Sequence, residues 1–190
     1  YTVIVSQIIN EQLAKNSGMN EYEIGLGHAF ELDPNLENGF LYELAQAQLV
    51  RELFPNSPIK YMPPTRYKTG NIFFSHIMDT LFNIVSVLTD QEIQLLGMLT
   101  EALHTPFVQD RYLSIENAQY IKNNLKSISN EFYIKDDGII RKRAFEVFDK
   151  SVEKLEEISS IGIFKALEEG YFSETKRPKK EGRGYDGVIK

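Results

Sequence analysis

The sequence has 190 residues, no cysteine, a net charge of −6 and an isoelectric point near 5.2. With 42% hydrophobic and 25% charged residues, it has the composition of a chain that buries a core. Its acidity argues against a nucleic-acid partner, which leaves a basic footprint, and the lack of cysteine excludes disulfides and thiolate chemistry.

Other features argue against a membrane or secreted protein. No apolar run approaches the roughly 20 residues that a bilayer span needs. The first residues, which begin with Tyr1 rather than Met, carry no charged region and no cleavage site of a signal peptide. We therefore expect a cytoplasmic protein, present here as a fragment. At the other end, residues 174–190 hold six basic residues against three acidic ones, which predicts a polar, irregular surface tail.

The first segment, to about residue 15, is ambiguous between strand and helix. Val3 and its β-branched neighbours favour a strand. Ile8 and Leu13 recur at helical spacing, and Gly18 is a typical helix end. We favour a helix for most of it.

Three units then repeat the order strand, loop, helix. The predicted strands cover residues 24–31, 58–62 and 93–98, and the helices that follow them cover 38–54, 71–88 and 110–127. The helix over 71–88 is apolar almost all round, which predicts burial on several sides, with His76 in the core. Two further helices, over 139–158 and 164–169, precede the tail.

This alternation predicts an α/β fold with parallel strands joined by right-handed crossovers. Three strands cannot close a (β/α)8 TIM barrel, which needs eight strands and typically about 250 residues. The economical interpretation is a partial TIM barrel, formed by the last βα units of a catalytic domain over residues 1–128. Residues 129–190 then form a helical extension that ends in the basic tail.

In such barrels the active site lies at the carboxyl ends of the strands. The side chains delivered there are His28, Glu31, Lys60, Tyr61, Glu101 and His104. Lys60 is the most informative, because a lysine in a short buried strand loses hydration unless an anion meets it. A substrate carboxylate or a cofactor phosphate would serve, although the lysine could instead reach solvent or pair with a neighbouring acid. Tyr61 points to the opposite face of the strand.

The remaining candidates each allow two interpretations. His28 and His104 could bind a cofactor or transfer a proton, or they could be structural histidines hydrogen-bonded to the backbone. Glu31 and Glu101 could bind a substrate ammonium or be structural acids. The histidines lack metal-ligand spacing, so no metal site is expected.

Longer segments carry a specific resemblance. They are GLGHAFELDPNLENGFLYELAQAQ (25–48), KYMPPT (60–65), TGNIF (69–73), DTLFN (79–83), IQLLGMLTEALHTPF (93–107), DRYLSIENA (110–118), KRP (176–178) and GYDGV (184–188). Together they resemble the C-terminal portion of the alpha (large) subunit family of lysine 5,6-aminomutases. The sequence is similar also to ornithine 4,5-aminomutase, but less closely in the tail.

The resemblance implies an isomerase subunit with a TIM barrel that faces a cobalamin-binding beta subunit in a hetero-oligomer. It implies adenosylcobalamin and pyridoxal 5'-phosphate as cofactors, and radical 1,2-amino migration on D-lysine or β-lysine. Carried onto this sequence, it matches Lys60 to a family lysine expected near the substrate, and it matches His28, Glu31, Glu101 and His104 to family motif positions without assigning their roles. Our own expectation is substrate binding by Lys60, Glu31 and Glu101, and cofactor binding by His28, Tyr61 and His104. We expect the isolated chain to be inactive, because the front of the barrel is missing.

Two residues depart from the family pattern. Asp90 and Glu92 stand where the family has glycines that permit unusual backbone angles. Both precede the third strand, at the amino end of the barrel, where changes affect stability more than catalysis. Two other interpretations stay open, a truncated non-catalytic remnant that binds a partner subunit and an unrelated α/β enzyme.

Overall fold

The structure is a computed structural model that describes residues 1–29 and 33–172. Its helices are α1 (Thr2–Asn16), α2 (Gly39–Leu53), α3 (Ile72–Leu88), α4 (Val108–Asn124), α5 (Ile139–Ile161) and α6 (Ile163–Glu169). Its strands are β1 (Leu26–Ala29), β2 (Ile59–Met62) and β3 (Ile93–Gln94). Each predicted helix and strand therefore has a counterpart. Glu31 and the basic tail lie outside the described residues.

The strands form one parallel sheet in the order β1-β2-β3, as predicted. Leu26 of β1 pairs with Ile59 of β2, and Lys60 of β2 pairs with Ile93 of β3. β3 is shorter than the predicted strand over 93–98. Just beyond it, the Leu95 amide still donates to the Tyr61 carbonyl of β2 at 3.0 Å. Further along, side chains meet the backbone, because Ser114 donates to the Gly97 carbonyl and Glu101 accepts from the Met98 amide.

Local chemistry explains where the helices begin and end. The Asn71 side chain accepts hydrogen bonds from the amides of Phe73 and Phe74, which caps the start of α3. Gly18 after α1 and Gly170 after α6 adopt positive φ angles of 91° and 81°, which close both helices at little steric cost. The ambiguous first segment is thus a helix, as favoured.

The core lies between the sheet and the helices, so one face of the sheet is covered. One cluster joins α1, α2, α5 and the strands through Ile4, Ile24, Leu26, Leu49, Val50, Phe54, Ile59 and Val147. A second joins α2, β2 and α3 through Ala47, Tyr61, Phe82 and Val85. The opposite face carries exposed apolar side chains on and just after β3, Ile93 and Leu95.

Helix α5 belongs to the same packed body as the strands. It packs against α1 and α2 and contributes Val147 to the first core cluster. Ser151 of α5 also donates to the Tyr1 carbonyl at 3.4 Å. The boundary at residue 128 between a barrel part and a helical extension stays a prediction, and α5 packs across it.

The prediction that His76 of α3 lies in the core was wrong. The buried stripe consists of Ser75, Met78, Asp79, Phe82, Asn83, Val85 and Ser86. His76, predicted to lie in the core, is exposed, and Phe73 is 77% exposed. Four polar residues lie on the buried stripe because hydrogen bonds and ion pairs satisfy several of them. Apolar spacing alone therefore misplaced His76.

Within the described part of the chain, no helix is long and apolar enough to cross a bilayer.

Candidate functional site

The two faces of β2 have different surroundings. Ile59 and Tyr61 are fully buried under the helices, whereas Lys60 and Met62, which alternate with them, are half-buried. Lys60 lies on the side of the sheet away from the two core clusters, and we call this side the inner face, by analogy with a barrel interior. Lys60 and Tyr61 therefore lie on opposite faces of the sheet, as the alternation of side chains along a strand predicts.

Lys60 lies across the neighbouring strand on the inner face. A β-carbon built onto Gly27 would approach the Lys60 Cε to 3.1 Å, so the glycine leaves room for the lysine stem. Among the described residues the Lys60 ammonium has no hydrogen bond and no ion pair. A half-buried ammonium without a partner favours an anion. It is the feature of this face most suited to binding a ligand.

His28 and Tyr61 lie together on the covered face. Their rings stack with centroids 4.4 Å apart, and the Tyr61 hydroxyl donates to the buried Glu43 carboxylate. Burial lowers the pKa of His28 to about 4, against an opposing interaction with the Gln91 side chain, and neither ring nitrogen makes a hydrogen bond of normal geometry among the described residues. Burial and then Glu43 raise the pKa of Tyr61 well above its usual value. Both rings are therefore uncharged near neutral pH.

A buried charge cluster lies where the loops after β2 and β3 meet. The Lys68 ammonium, whose side chain is 0% exposed, lies 2.6 Å from Asp79 Oδ1 and 2.9 Å from Glu101 Oε1. It also donates to the Met98 carbonyl at 3.2 Å. Lys68 therefore ties the loop that follows β2 to helix α3 and to the loop that follows β3.

The cluster depends on a glycine. A β-carbon on Gly97 would lie 2.0 Å from Asp79 Oδ1, 2.8 Å from Lys68 Nζ and 2.8 Å from Pro63 Cβ. No larger residue fits without displacing the ion pair. Burial raises the pKa of Asp79 to about 6, an effect that Lys68 opposes and Glu101 adds to. Two carboxylates thus share one ammonium, which leaves an excess of negative charge above that pKa.

His104 lies further along the loop after β3. Its imidazole is exposed and lies tilted by 40° against the Phe107 ring, with centroids 4.6 Å apart. Its Nδ1 lies 2.9 Å from the Thr105 carbonyl. This loop follows the carboxyl end of a strand, as predicted, and the ring is open to a group bound beside it. Its assignment to a cofactor stays a prediction.

The predicted residues therefore fall into two groups. Lys60, Glu101 and His104 lie on the inner face or on the loops at the carboxyl edge, whereas His28 and Tyr61 lie behind the sheet. The assignment of the stacked pair to a cofactor stays a prediction. The predicted site omitted Lys68 and Asp79, and the one available signal was an acid in the middle of the most apolar helix.

A separate network of hydrogen bonds and an ion pair lies at the amino edge of the sheet, the end at which the parallel strands begin. The Arg51 guanidinium pairs with Glu92 at 2.5 Å and donates to the carbonyls of Phe54 and Ser57. Glu92 also accepts from the Ile59 amide at 2.9 Å. Asp90 has a positive φ of 49°, a conformation that suits glycine. Both departures from the family pattern thus lie at the amino edge, as predicted.

Comparison with known proteins identifies the family. A family model described as the D-lysine 5,6-aminomutase TIM-barrel domain of the alpha subunit matches residues 1–190. The chain belongs to this family. The parallel βα arrangement of the described residues is consistent with part of such a barrel.

Two aminomutase relatives match over the whole chain. The lysine 5,6-aminomutase alpha subunit of Acetoanaerobium sticklandii is 61% identical over 189 residues, and that of Fusobacterium nucleatum is 57% identical over 189 residues. The chain spans 36% of the length of each of these relatives.

Proposed function

We propose that this chain forms the last βα units of the barrel in a lysine 5,6-aminomutase alpha subunit. The proposed activity is isomerisation of lysine, by a 5,6-shift of the amino group on D-lysine or β-lysine. The observation that carries the proposal is the unpartnered Lys60 ammonium on the inner face. The membership of the family and the two relatives support it.

The inner face and the loop beside it suit an amino-acid substrate because they offer a cation, Lys60, and an anion, Glu101, at separate positions. Lys60 would bind an anion, either the substrate carboxylate or a cofactor phosphate, through a charge-assisted hydrogen bond. Glu101 would accept from the substrate ammonium, because its side chain is 24% exposed although it also pairs with Lys68. Glu31, which lies outside the described residues, is proposed as a second contact to the ammonium.

The residues present also fit the proposed cofactors, adenosylcobalamin and pyridoxal 5'-phosphate. Lys60 suits the phosphate of the pyridoxal cofactor. The exposed His104 ring, on the loop after β3, suits a hydrogen bond or a stacking contact with a cofactor. When bound, the cofactors would supply radical hydrogen abstraction and an aldehyde group to which the migrating amino group attaches. The part of this chain is to orient the substrate and, with the packed strands and helices, to exclude water.

The proposal includes a partner. A cobalamin-binding beta subunit would face the carboxyl edge in a hetero-oligomer, and further strands would complete the barrel. Because this chain spans 36% of its relatives and three strands do not enclose a site, it should not turn over substrate alone. A cytoplasmic location remains part of this proposal.

The test uses the native polypeptide that carries this sequence, purified with its cobalamin-binding partner. D-lysine, β-lysine and ornithine are each supplied with both cofactors, with either one and with neither. We expect migration of the amino group on lysine or β-lysine only with both cofactors. Turnover of ornithine alone would assign the chain to the ornithine type, and no turnover of any substrate would overturn an aminomutase function.

A further inference from the structure

The buried cluster of Lys68, Asp79 and Glu101 has no part in the function proposed so far, apart from one oxygen of Glu101. It lies at the carboxyl edge, where Lys68 follows β2 and Glu101 follows β3. Its members come from three separate segments, the loop after β2, helix α3 and the loop after β3. Whatever holds these segments together also sets where Glu101 stands relative to the inner face.

The Lys68 ammonium makes three contacts within the cluster. It forms ion pairs with Asp79 at 2.6 Å and Glu101 at 2.9 Å, and it donates a hydrogen bond to the Met98 carbonyl at 3.2 Å. The other oxygen of Glu101 accepts from the Met98 amide at 3.1 Å, and the Glu101 amide donates to the Met98 carbonyl at 3.1 Å. The Glu101 carboxylate is therefore held at both oxygens, while 24% of its side chain stays exposed.

The charges of the cluster do not balance. One fully buried ammonium faces two carboxylates, and Gly97 keeps them close because a β-carbon there would lie 2.0 Å from Asp79 Oδ1. A cluster built only for stability would gain from matched charges, since buried unpaired charge is costly. The excess negative charge, with Glu101 as its exposed member, suits an external cation.

We propose that Lys68 is a positioning residue that fixes the Glu101 carboxylate and orients the excess negative charge of the cluster toward the ammonium of a diamino-acid substrate. This inference rests on the proposed function and adds residues that contact no substrate. Lys68 acts through Glu101, and Asp79 supplies the second carboxylate that leaves Glu101 free to attract a cation.

The test compares variants of the native polypeptide assembled with its cobalamin-binding partner. Lys68→Met alone leaves the buried Asp79 carboxylate without its cation, which would destabilise the fold, so Lys68→Met/Asp79→Asn is the main variant. Lys126→Met, on an exposed lysine without an ion pair among the described residues, is the matched control. We expect the double variant to raise the KM for the diamino acid about tenfold, with a smaller change in kcat.

Glu101→Gln provides the second comparison. Because Lys68 is proposed to act through Glu101, adding Glu101→Gln to the double variant should raise KM no further. An unchanged KM in a folded double variant, with only a lower unfolding midpoint, would overturn the inference and leave a purely structural brace. Fully additive effects on KM would also overturn it.

Hydrogen exchange separates this inference from the proposed function, since it needs no activity. In the double variant the amides of Met98 and Glu101 should exchange about tenfold faster, while the amides in the middle of α3 keep their protection. Unchanged exchange at these two amides would overturn the inference. If the parent assembly turns over no substrate, the proposed function fails, and exchange at the two amides still decides whether Lys68 fixes this loop.

Discussion

Both edges of the three-stranded sheet hold a sequestered cation, but the two edges balance its charge differently. At the amino edge, Arg51 faces one carboxylate, Glu92, and gives its other donors to backbone carbonyls. At the carboxyl edge, Lys68 faces two carboxylates, and the inner face nearby carries Lys60, which has no partner among the described residues. Charge balance therefore marks the amino edge as structural and the carboxyl edge as suited to binding, as in barrels generally.

The largest effect expected is on stability, from Gly97→Ala at the carboxyl edge. The new β-carbon would lie 2.0 Å from Asp79 Oδ1 and 2.8 Å from Pro63 Cβ, so the ion pair must be displaced. We expect the free energy of unfolding to fall by about 3 kcal/mol, measured by denaturant titration. Gly25→Ala is the control, because a β-carbon there meets nothing within 4 Å. Equal effects of the two changes would refute the close fit at Gly97.

Arg51→Met tests the structural role of the amino edge. The variant leaves Glu92 without its cation and the Phe54 and Ser57 carbonyls without a donor. We expect a loss of about 2 kcal/mol in unfolding free energy, with unchanged KM and kcat per folded molecule. The control is Arg111→Met, an exposed arginine of α4. A change in KM at full folding would remove the contrast between the edges.

His28→Phe tests the covered face, where neither imidazole nitrogen makes a hydrogen bond of normal geometry among the described residues. Phenylalanine keeps an aromatic ring beside Tyr61 and removes both polar atoms. We expect the free energy of unfolding at pH 7.5, measured by denaturant titration, to rise by about 1 kcal/mol. A loss of stability at pH 7.5 would indicate that the nitrogens have partners.

The gain in unfolding free energy from His28→Phe should grow as the pH is lowered. The folded pKa of His28 is lowered from 6.5 to about 4, so the contribution of the histidine to stability is present above pH 6.5 and is lost as the pH falls toward 4. Asp79, with a pKa raised from 3.8 to about 6, has the opposite sign, because its contribution is present below pH 3.8 and is lost as the pH rises through 6. The difference between parent and His28→Phe cancels the Asp79 contribution. A difference independent of pH would contradict the assignment.

The smallest effect is expected from Asp90→Gly at the amino edge. Asp90 has a φ of 49°, and glycine adopts this conformation without the steric cost of a β-carbon. We expect a gain of about 0.5 kcal/mol in unfolding free energy. Asp90→Ala removes the same carboxylate but keeps the β-carbon, so it should give no gain. An equal gain from both would mean that charge rather than backbone conformation decides.

The sequence predicted the elements well because each depends on local chemistry. Glycine after α1 and the apolar runs of β1 and β2 marked those elements, and the strand alternation placed Lys60 and Tyr61 on different faces. His76 of α3 was mispredicted as buried because the buried stripe of the helix includes Asp79 and other polar residues, which apolar spacing does not mark. Lys68 was missed because 33 positions separate it from Glu101 and only the folded loops bring them together.

The most direct test of the central claim is the kinetics of Lys60→Met in the native polypeptide with its partner subunit. The side chain faces the open inner face and has no partner among the described residues, so its loss should cost little stability. We predict a roughly 100-fold lower kcat/KM for lysine at an unchanged unfolding midpoint, with Lys126→Met matching the parent in both. A folded Lys60→Met enzyme with the kcat/KM of the parent would contradict the account.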